Sequence, residues 1–168
     1  HGGPDEFAAV WITYDPFEPE TWYVYREFYL ACTPPISKPN QPWRSPGQML
    51  EEIYQMSVVE TYDGREFRPT DRRENISRIF VDPSKPEIRY NVTHYFPDAM
   101  VFKADPKLAG LIDVGSMLKQ GRLLVFNNLI HWAAEQTSYI YPYGEFGESV
   151  GQGEPLDRNN HLMDATRY

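Results

Sequence analysis

The chain has 168 residues, 41% of them hydrophobic, and a formal net charge of −8. That length suffices for one domain with a real core, and no uncharged apolar run is long enough to span a membrane. The acidic balance argues against non-specific nucleic-acid binding over the whole surface, while leaving room for a local basic patch or a carboxylate site holding a divalent metal.

Cys32 is the single cysteine, so these residues form no disulfide among themselves and a reducing compartment is expected. Phe7–Tyr14 (FAAVWITY) reads as a strand and Asp15–Glu20 as a proline-bearing turn. Thr21–Cys32 (TWYVYREFYLAC) reads as a second strand, rich in aromatic and β-branched residues. So short a link predicts an antiparallel hairpin, with Arg26 partly buried on its more apolar face. Thr33–Pro46 is a proline-rich loop. Ser45-Pro46 supplies a cap and a first-turn proline, and Met49, Ile53 and Met56 follow at helical spacing, which predicts a helix over Pro46–Ser57. Asp63-Gly64 centres a hairpin over Val58–Arg68. In its neighbourhood Arg65, Arg68, Arg72, Arg73 and Arg78 stand against Glu66, Asp71 and Glu74. A solvated charged surface and a phosphate-contacting patch account for this equally well.

Ile79-Phe80-Val81 is a short apolar run that ends on Asp82 and is stopped by Pro83, the pattern of a strand buried on both faces. Ligands of open α/β sheets gather beyond the carboxyl ends of such strands, which makes Asp82 a candidate site residue. The competing account is a plain Asp-Pro turn. Over Ser84–Phe96, Ile88, Val92 and Phe96 have helical spacing, while Ile88, Tyr90, Val92, His94 and Phe96 alternate as a strand would, and periodicity leaves both open. Ala99–Ala104 reads as a strand. Pro106–Gln120 is the clearest helix, with Leu108, Leu111, Ile112, Gly115 and Leu118 on one face and Gly121 as its stop. Arg122–Phe126 (RLLVF) reads as a buried strand, Asn128–Ala134 as a helix, and Thr137–Glu154 as a hairpin or loop that could cover a site. Asn159–Tyr168 (NNHLMDATRY) suits a closing helix. A hairpin followed by strand–helix alternation predicts a mixed α/β sheet. On the last helix His161 and Asp164 are three apart and project from one face. They can share a divalent cation or pair on the surface, and for an isolated His-x-x-Asp the surface pair is the commoner outcome.

In order and spacing, Ile79–Pro83 (IFVDP), Leu118–Leu124 (LKQGRLL) and His161–Tyr168 (HLMDATRY) resemble the C-terminal nuclease domain of the tailed-phage terminase large subunit. The resemblance runs over nearly the whole chain. It implies a ribonuclease-H-like fold, a mixed sheet flanked by helices and starting with an antiparallel hairpin, in which Ser84–Phe96 is helical and residues 1–168 form a single nuclease domain. It implies a divalent-metal-dependent endonuclease that cuts concatemeric double-stranded DNA during genome packaging in the host cytoplasm. Two Mg²⁺ or Mn²⁺ ions would be held by Asp82, His161 and Asp164, with Arg65, Arg68, Arg72 and Arg73 on DNA. A terminase small subunit and a portal are the implied protein partners, and no membrane is involved. The family's first catalytic Asp would precede His1, since Asp5 is out of register. No G-x-x-x-x-G-K-[ST] loop occurs, so the ATPase motor of such proteins is expected outside these residues. Two other readings stand beside this one: a non-catalytic domain that docks and grips DNA in a packaging motor, and a resolvase- or transposase-like nuclease of the same fold.

Overall fold

The computed structural model describes residues 7–30, 44–82, 85–104, 107–138 and 160–168. They group into two compact units, His1–Pro35 with Asp105–Tyr168, and Ile36–Ala104. Most of the loop expected over Thr33–Pro46, residues 139–159, which hold most of the loop expected over Thr137–Glu154, and Asp5, Cys32 and Pro83 lie outside the described residues.

The first unit is built on an antiparallel hairpin, β1 (Phe7–Asp15) and β2 (Glu18–Leu30). Its turn is tighter than the sequence suggests. Pro16 and Phe17 alone make it, and the Asp15 carboxylate accepts the Phe17 N–H at 2.8 Å, the local bond that makes Asp a turn former. Pro19 therefore falls inside the first residues of β2, a position where a strand tolerates its missing N–H. Arg26 is half-buried as expected, with its guanidinium 5.7 Å from the Trp11 ring centre and 5.5 Å from that of Tyr25.

Helix α3 (Lys107–Lys119) leads into strand β7 (Leu123–Val125), which joins β2 in parallel to give the order β1-β2-β7. The turn between them is fully accounted for by its hydrogen bonds. Gly121 takes φ +68°, its N–H donates to the Leu118 carbonyl at 3.1 Å, and the Arg122 N–H reaches back to Met117 at 2.8 Å. That pair of bonds closes a helix only when the residue after it can adopt the left-handed conformation, which glycine does at no steric cost. The helix presents Leu111, Val114, Met117 and Leu118 inward, whereas Ile112, expected on the same face, is 63% exposed. Helices α4 (Ile130–Ser138) and α5 (His161–Arg167) complete the unit. Helix α4 runs four residues past the end expected for it, so Thr137 and Ser138 are helical. The core is Val24, Leu123, Leu129, Trp132, Leu162 and Met163, edged by Val114, Met117 and Leu118. Gly110 admits α5 to close contact: a Cβ there would stand 2.6 Å from the Arg167 carbonyl oxygen.

The second unit starts with α1 (Pro46–Met56), whose Ser45 side chain accepts the Gln48 N–H as the anticipated cap, while Gln48 accepts the Ser45 N–H in return, a second bond the sequence reading did not include. Strands β3 (Val58–Tyr62) and β4 (Phe67–Arg73) form a hairpin five residues longer than expected at its far end. Thr70 extends it by donating its hydroxyl to the Val59 carbonyl at 2.7 Å. Strand β5 (Arg78–Val81), helix α2 (Pro86–Tyr95) and strand β6 (Met100–Lys103) make a parallel β-α-β unit. The ambiguous stretch is thus helical. Tyr54 of α1 packs against Tyr95 and Phe96, and Met49, Leu50, Ile53 and Val92 are buried. Two strands expected to be buried are only partly so: β7 leaves Leu124 43% exposed with Phe126 after it at 48%, and β5 is not buried on both faces. Val81 is buried, but Phe80 is 44% exposed and stacks on Phe102, itself 39% exposed, at 5.4 Å. Four residues of parallel pairing with a single neighbour offer Phe80 no second layer among the described residues.

Candidate metal centre and its supporting helices

Asp82 directly follows β5, half-buried, and its carbonyl accepts the Lys85 N–H at 3.1 Å. The carboxylate therefore sits at the carboxyl end of a parallel strand, where sequence reasoning puts it.

His161 and Asp164 lie in the other unit, on α5. The helix divides cleanly. Leu162, Met163 and Thr166 are buried, while His161, Asp164 and Arg167 occupy the half-buried side. Asp164 Oδ1 accepts a hydrogen bond from Arg167 Nε at 2.9 Å, and that guanidinium lies 4.5 Å from the Tyr168 ring centre. His161 packs at 6.5 Å from Tyr29 of β2, which stacks at 4.9 Å on His131 of α4. Within each unit taken alone, and among the described residues, no three His, Cys, Asp or Glu side chains form a metal-holding group. The pair on α5 nevertheless suits a divalent cation. An imidazole and a carboxylate share one helical face, Asp164 Oδ2 has no donor among the described residues, and Arg167 orients the carboxylate through the other oxygen.

What holds that helix was not visible in the sequence. Glu135 of α4 is 5% exposed, and its Oε2 accepts the N–H groups of Leu162 at 2.7 Å and Met163 at 3.2 Å. Burial pushes the Glu135 carboxyl above the usual carboxylate range, against the opposing effect of those N–H donors and of nearby His161. Its Oε1 has no partner among the described residues. One turn earlier, Trp132 Nε1 donates to Thr166 Oγ1 at 2.9 Å, and that hydroxyl donates to the Leu162 carbonyl at 2.7 Å. Helix α4 is itself anchored from the sheet: Glu27 of β2 accepts the His131 N–H at 3.0 Å and the Trp132 N–H at 2.8 Å. The only sequence signal for either glutamate is a lone carboxylate inside an apolar or aromatic stretch, YREF and WAAEQ.

The four arginines of the candidate DNA patch separate into two pairs. Arg68 is held by Asp63 at 2.9 Å and Glu66 at 3.0 Å. Asp63 in turn accepts the N–H groups of Glu66 and Arg65, which keeps its carboxyl below the ordinary range. Arg73 lies over the Tyr54 ring at 4.1 Å and donates to the Tyr54 carbonyl and the Gln55 side chain. It is a packing residue of the α1–β4 contact. Arg65 and Arg72 are exposed, and their guanidinium groups have no partner among the described residues. Beside them on the same hairpin, Tyr62 and Phe67 form an exposed aromatic pair with ring centres 5.3 Å apart.

No protein-family model matches this sequence, and no curated protein matches it. Solved structures do match it in three dimensions. The large terminase of the thermophilic bacteriophage D6E superposes with a TM-score of 0.68 at 19% identity, covering 100% of this chain and 36% of that one. The nuclease domain of the bacteriophage SPP1 large terminase g2p, solved with bound Mn, gives 0.62 at 18% identity over 99% of this chain and 78% of that domain. The P22 large terminase nuclease domain gives 0.58 at 14% identity, over 100% of this chain and 75% of that one. The fold is therefore the ribonuclease-H-like mixed α/β fold of terminase nuclease domains, and the chain spans about a third of the D6E protein.

Proposed function

We propose that this chain is a single terminase-type nuclease domain, a divalent-metal-dependent endonuclease cutting concatemeric double-stranded DNA during viral genome packaging. The observation that supports this best is the likeness of the whole chain to three terminase structures, one of them holding Mn, together with an imidazole and a carboxylate on one face of α5. Asp82, His161 and Asp164 are the ligands in this reading. Two Mg²⁺ or Mn²⁺ ions, when bound, supply the charge that activates a water and stabilises the leaving oxygen of the phosphodiester. The protein's own part is to present oxygen and nitrogen donors at fixed positions. Asp82 does so from a strand end, and His161 and Asp164 from a helix whose other face is locked into the core. Arg167 keeps the Asp164 carboxylate in one orientation. The double-stranded DNA substrate, the terminase small subunit, the portal and the host cytoplasm belong to the same reading.

The test is nicking of supercoiled plasmid by the full-length protein. Cleavage should require Mn²⁺ or Mg²⁺ and stop on chelation. Metal-independent cleavage, or none under any divalent ion, would remove the proposal.

A non-catalytic DNA-gripping role is the second reading, favoured by Arg65, Arg72 and the aromatic pair on the β3–β4 hairpin. In both readings Arg65 and Arg72 contact phosphate, while Arg68 and Arg73 are spoken for within the fold. Neutralising Arg65 and Arg72 together should weaken duplex binding for all sequences and lower the salt slope by roughly two. Arg68→Gln should leave that slope near the parent value. An unchanged slope in the double variant would count against this assignment.

A further inference from the structure

Helix α5 has seven residues and no side-chain cap of its own. So short a helix does not hold itself together in water, and its unpaired first-turn N–H groups make that turn the first to fray. His161 is the first residue of that turn, whereas Asp164 is one turn further on, so fraying would separate the two side chains. The N–H groups of Leu162 and Met163 are instead taken by a carboxylate from another helix, Glu135. This is an expensive cap. Glu135 is nine-tenths buried, and its second oxygen has no partner among the described residues, a combination that disfavours the charged form and leaves a buried acceptor unsatisfied. An Asn already stands at position 160, a residue type that caps helices locally. Stability alone does not account for a buried carboxylate in that place.

We infer that Glu135 is a positioning residue of the candidate site, whose Oε2 holds the first turn of α5 so that His161 and Asp164 stay in register for one cation. The inference rests on the nuclease reading above. Glu135 acts through the backbone of α5 and does not touch substrate. Glu27 extends the same device one step back, since it takes the first-turn N–H groups of α4 and so fixes the helix that carries Glu135.

The experiment uses the full-length protein and three variants, Glu135→Ala, Glu135→Gln and Glu135→Asp. Two quantities are read well below the melting temperature: Mn²⁺ affinity from the electron paramagnetic resonance of the free ion, and hydrogen exchange at the Leu162 and Met163 amides. Glu135→Ala should bind Mn²⁺ about tenfold or more weakly, in the range seen when a group behind a metal ligand is lost, and should expose both amides to exchange. Glu135→Gln keeps an acceptor oxygen and should restore both quantities. Glu135→Asp withdraws the carboxylate by one methylene and should behave like the alanine variant, so it decides the matter should that variant fail to fold. Parent-like Mn²⁺ affinity in the alanine or aspartate variant overturns the inference, as does a glutamine variant no better than alanine. A parent that binds no Mn²⁺ would remove the nuclease reading, and amide exchange then still decides the role of Glu135: protection equal in all four proteins overturns it, and loss confined to Ala and Asp supports it.

Discussion

Replacing Asp82 with alanine is expected to bring Mn²⁺-dependent plasmid nicking down to the level seen with chelator. The loss should exceed the roughly 10–100-fold that removal of a group behind a metal ligand costs, because Asp82 is proposed as a ligand itself. Asp82 follows β5 and its main-chain carbonyl accepts the Lys85 N–H, a bond that alanine keeps. A variant that folds and binds duplex DNA like the parent, yet does not cut, is the expected phenotype. The gripping reading makes the opposite claim, that parent and variant are alike in cutting nothing. Should Asp82→Ala nick plasmid as fast as the parent, the ligand assignment is wrong even if the protein is a nuclease.

The second large effect concerns stability. Leu162 is fully buried, on the face of α5 opposite His161 and Asp164, within the cluster of Val24, Leu123, Leu129, Trp132 and Met163. Leu162→Ala removes buried methyl groups at a place where the surroundings are pinned on two sides and cannot collapse inward. Trp132 is tied to Thr166, and Gly110 already lies against Arg167. The cost should fall in the upper part of the about 2–5 kcal/mol range for such truncations. In a chain of this size that lowers the melting midpoint on the order of 10 °C. A thermal melt of the variant reads it directly, and a shift under about 1 kcal/mol would mean that α5 is less tightly seated than its burial indicates.

The parts of the fold that could be read in advance are those governed by neighbours in the chain. Ser45 and Pro46 start α1 because a cap and a first-turn proline act on the turn that directly follows them, and Gly121 ends α3 because only adjacent residues are involved. Asp63-Gly64 sets its hairpin for the same reason, with Gly64 at φ +96°. Where partners are distant, the sequence was silent or misleading. The apolar run at β5 signals burial, but only a second layer could bury Phe80, and such a layer is not written in four residues. Arg73 belonged to an arginine-rich stretch that a solvated surface and a phosphate patch explained equally well, and Tyr54, 19 residues away, becomes its partner only through the packing of β4 on α1. The candidate site divides in the same way. His161 and Asp164 share a face by helical spacing alone, and Asp82 stands at a strand end by local pattern. Glu27 and Glu135, which hold α4 and α5, carried no more than a lone carboxylate in an apolar or aromatic stretch.

The two glutamates also bear on the order in which the chain folds. The bond from the His131 N–H to Glu27 joins residues 104 apart, and the bond from the Leu162 N–H to Glu135 joins residues 27 apart. Contacts between such distant residues are slow to form, because the loop they close must lose its entropy before they repay it. They also form in sequence, since Glu135 is in place for α5 only after Glu27 has seated α4. Pulse-labelled hydrogen exchange during refolding should find the Leu162 and Met163 amides protected after those of the β1–β2 hairpin, and early protection there would contradict this order. A half-folded chain would then have a sheet and an arginine-bearing hairpin but no aligned His161 and Asp164, so cutting competence would be among the last properties the chain acquires.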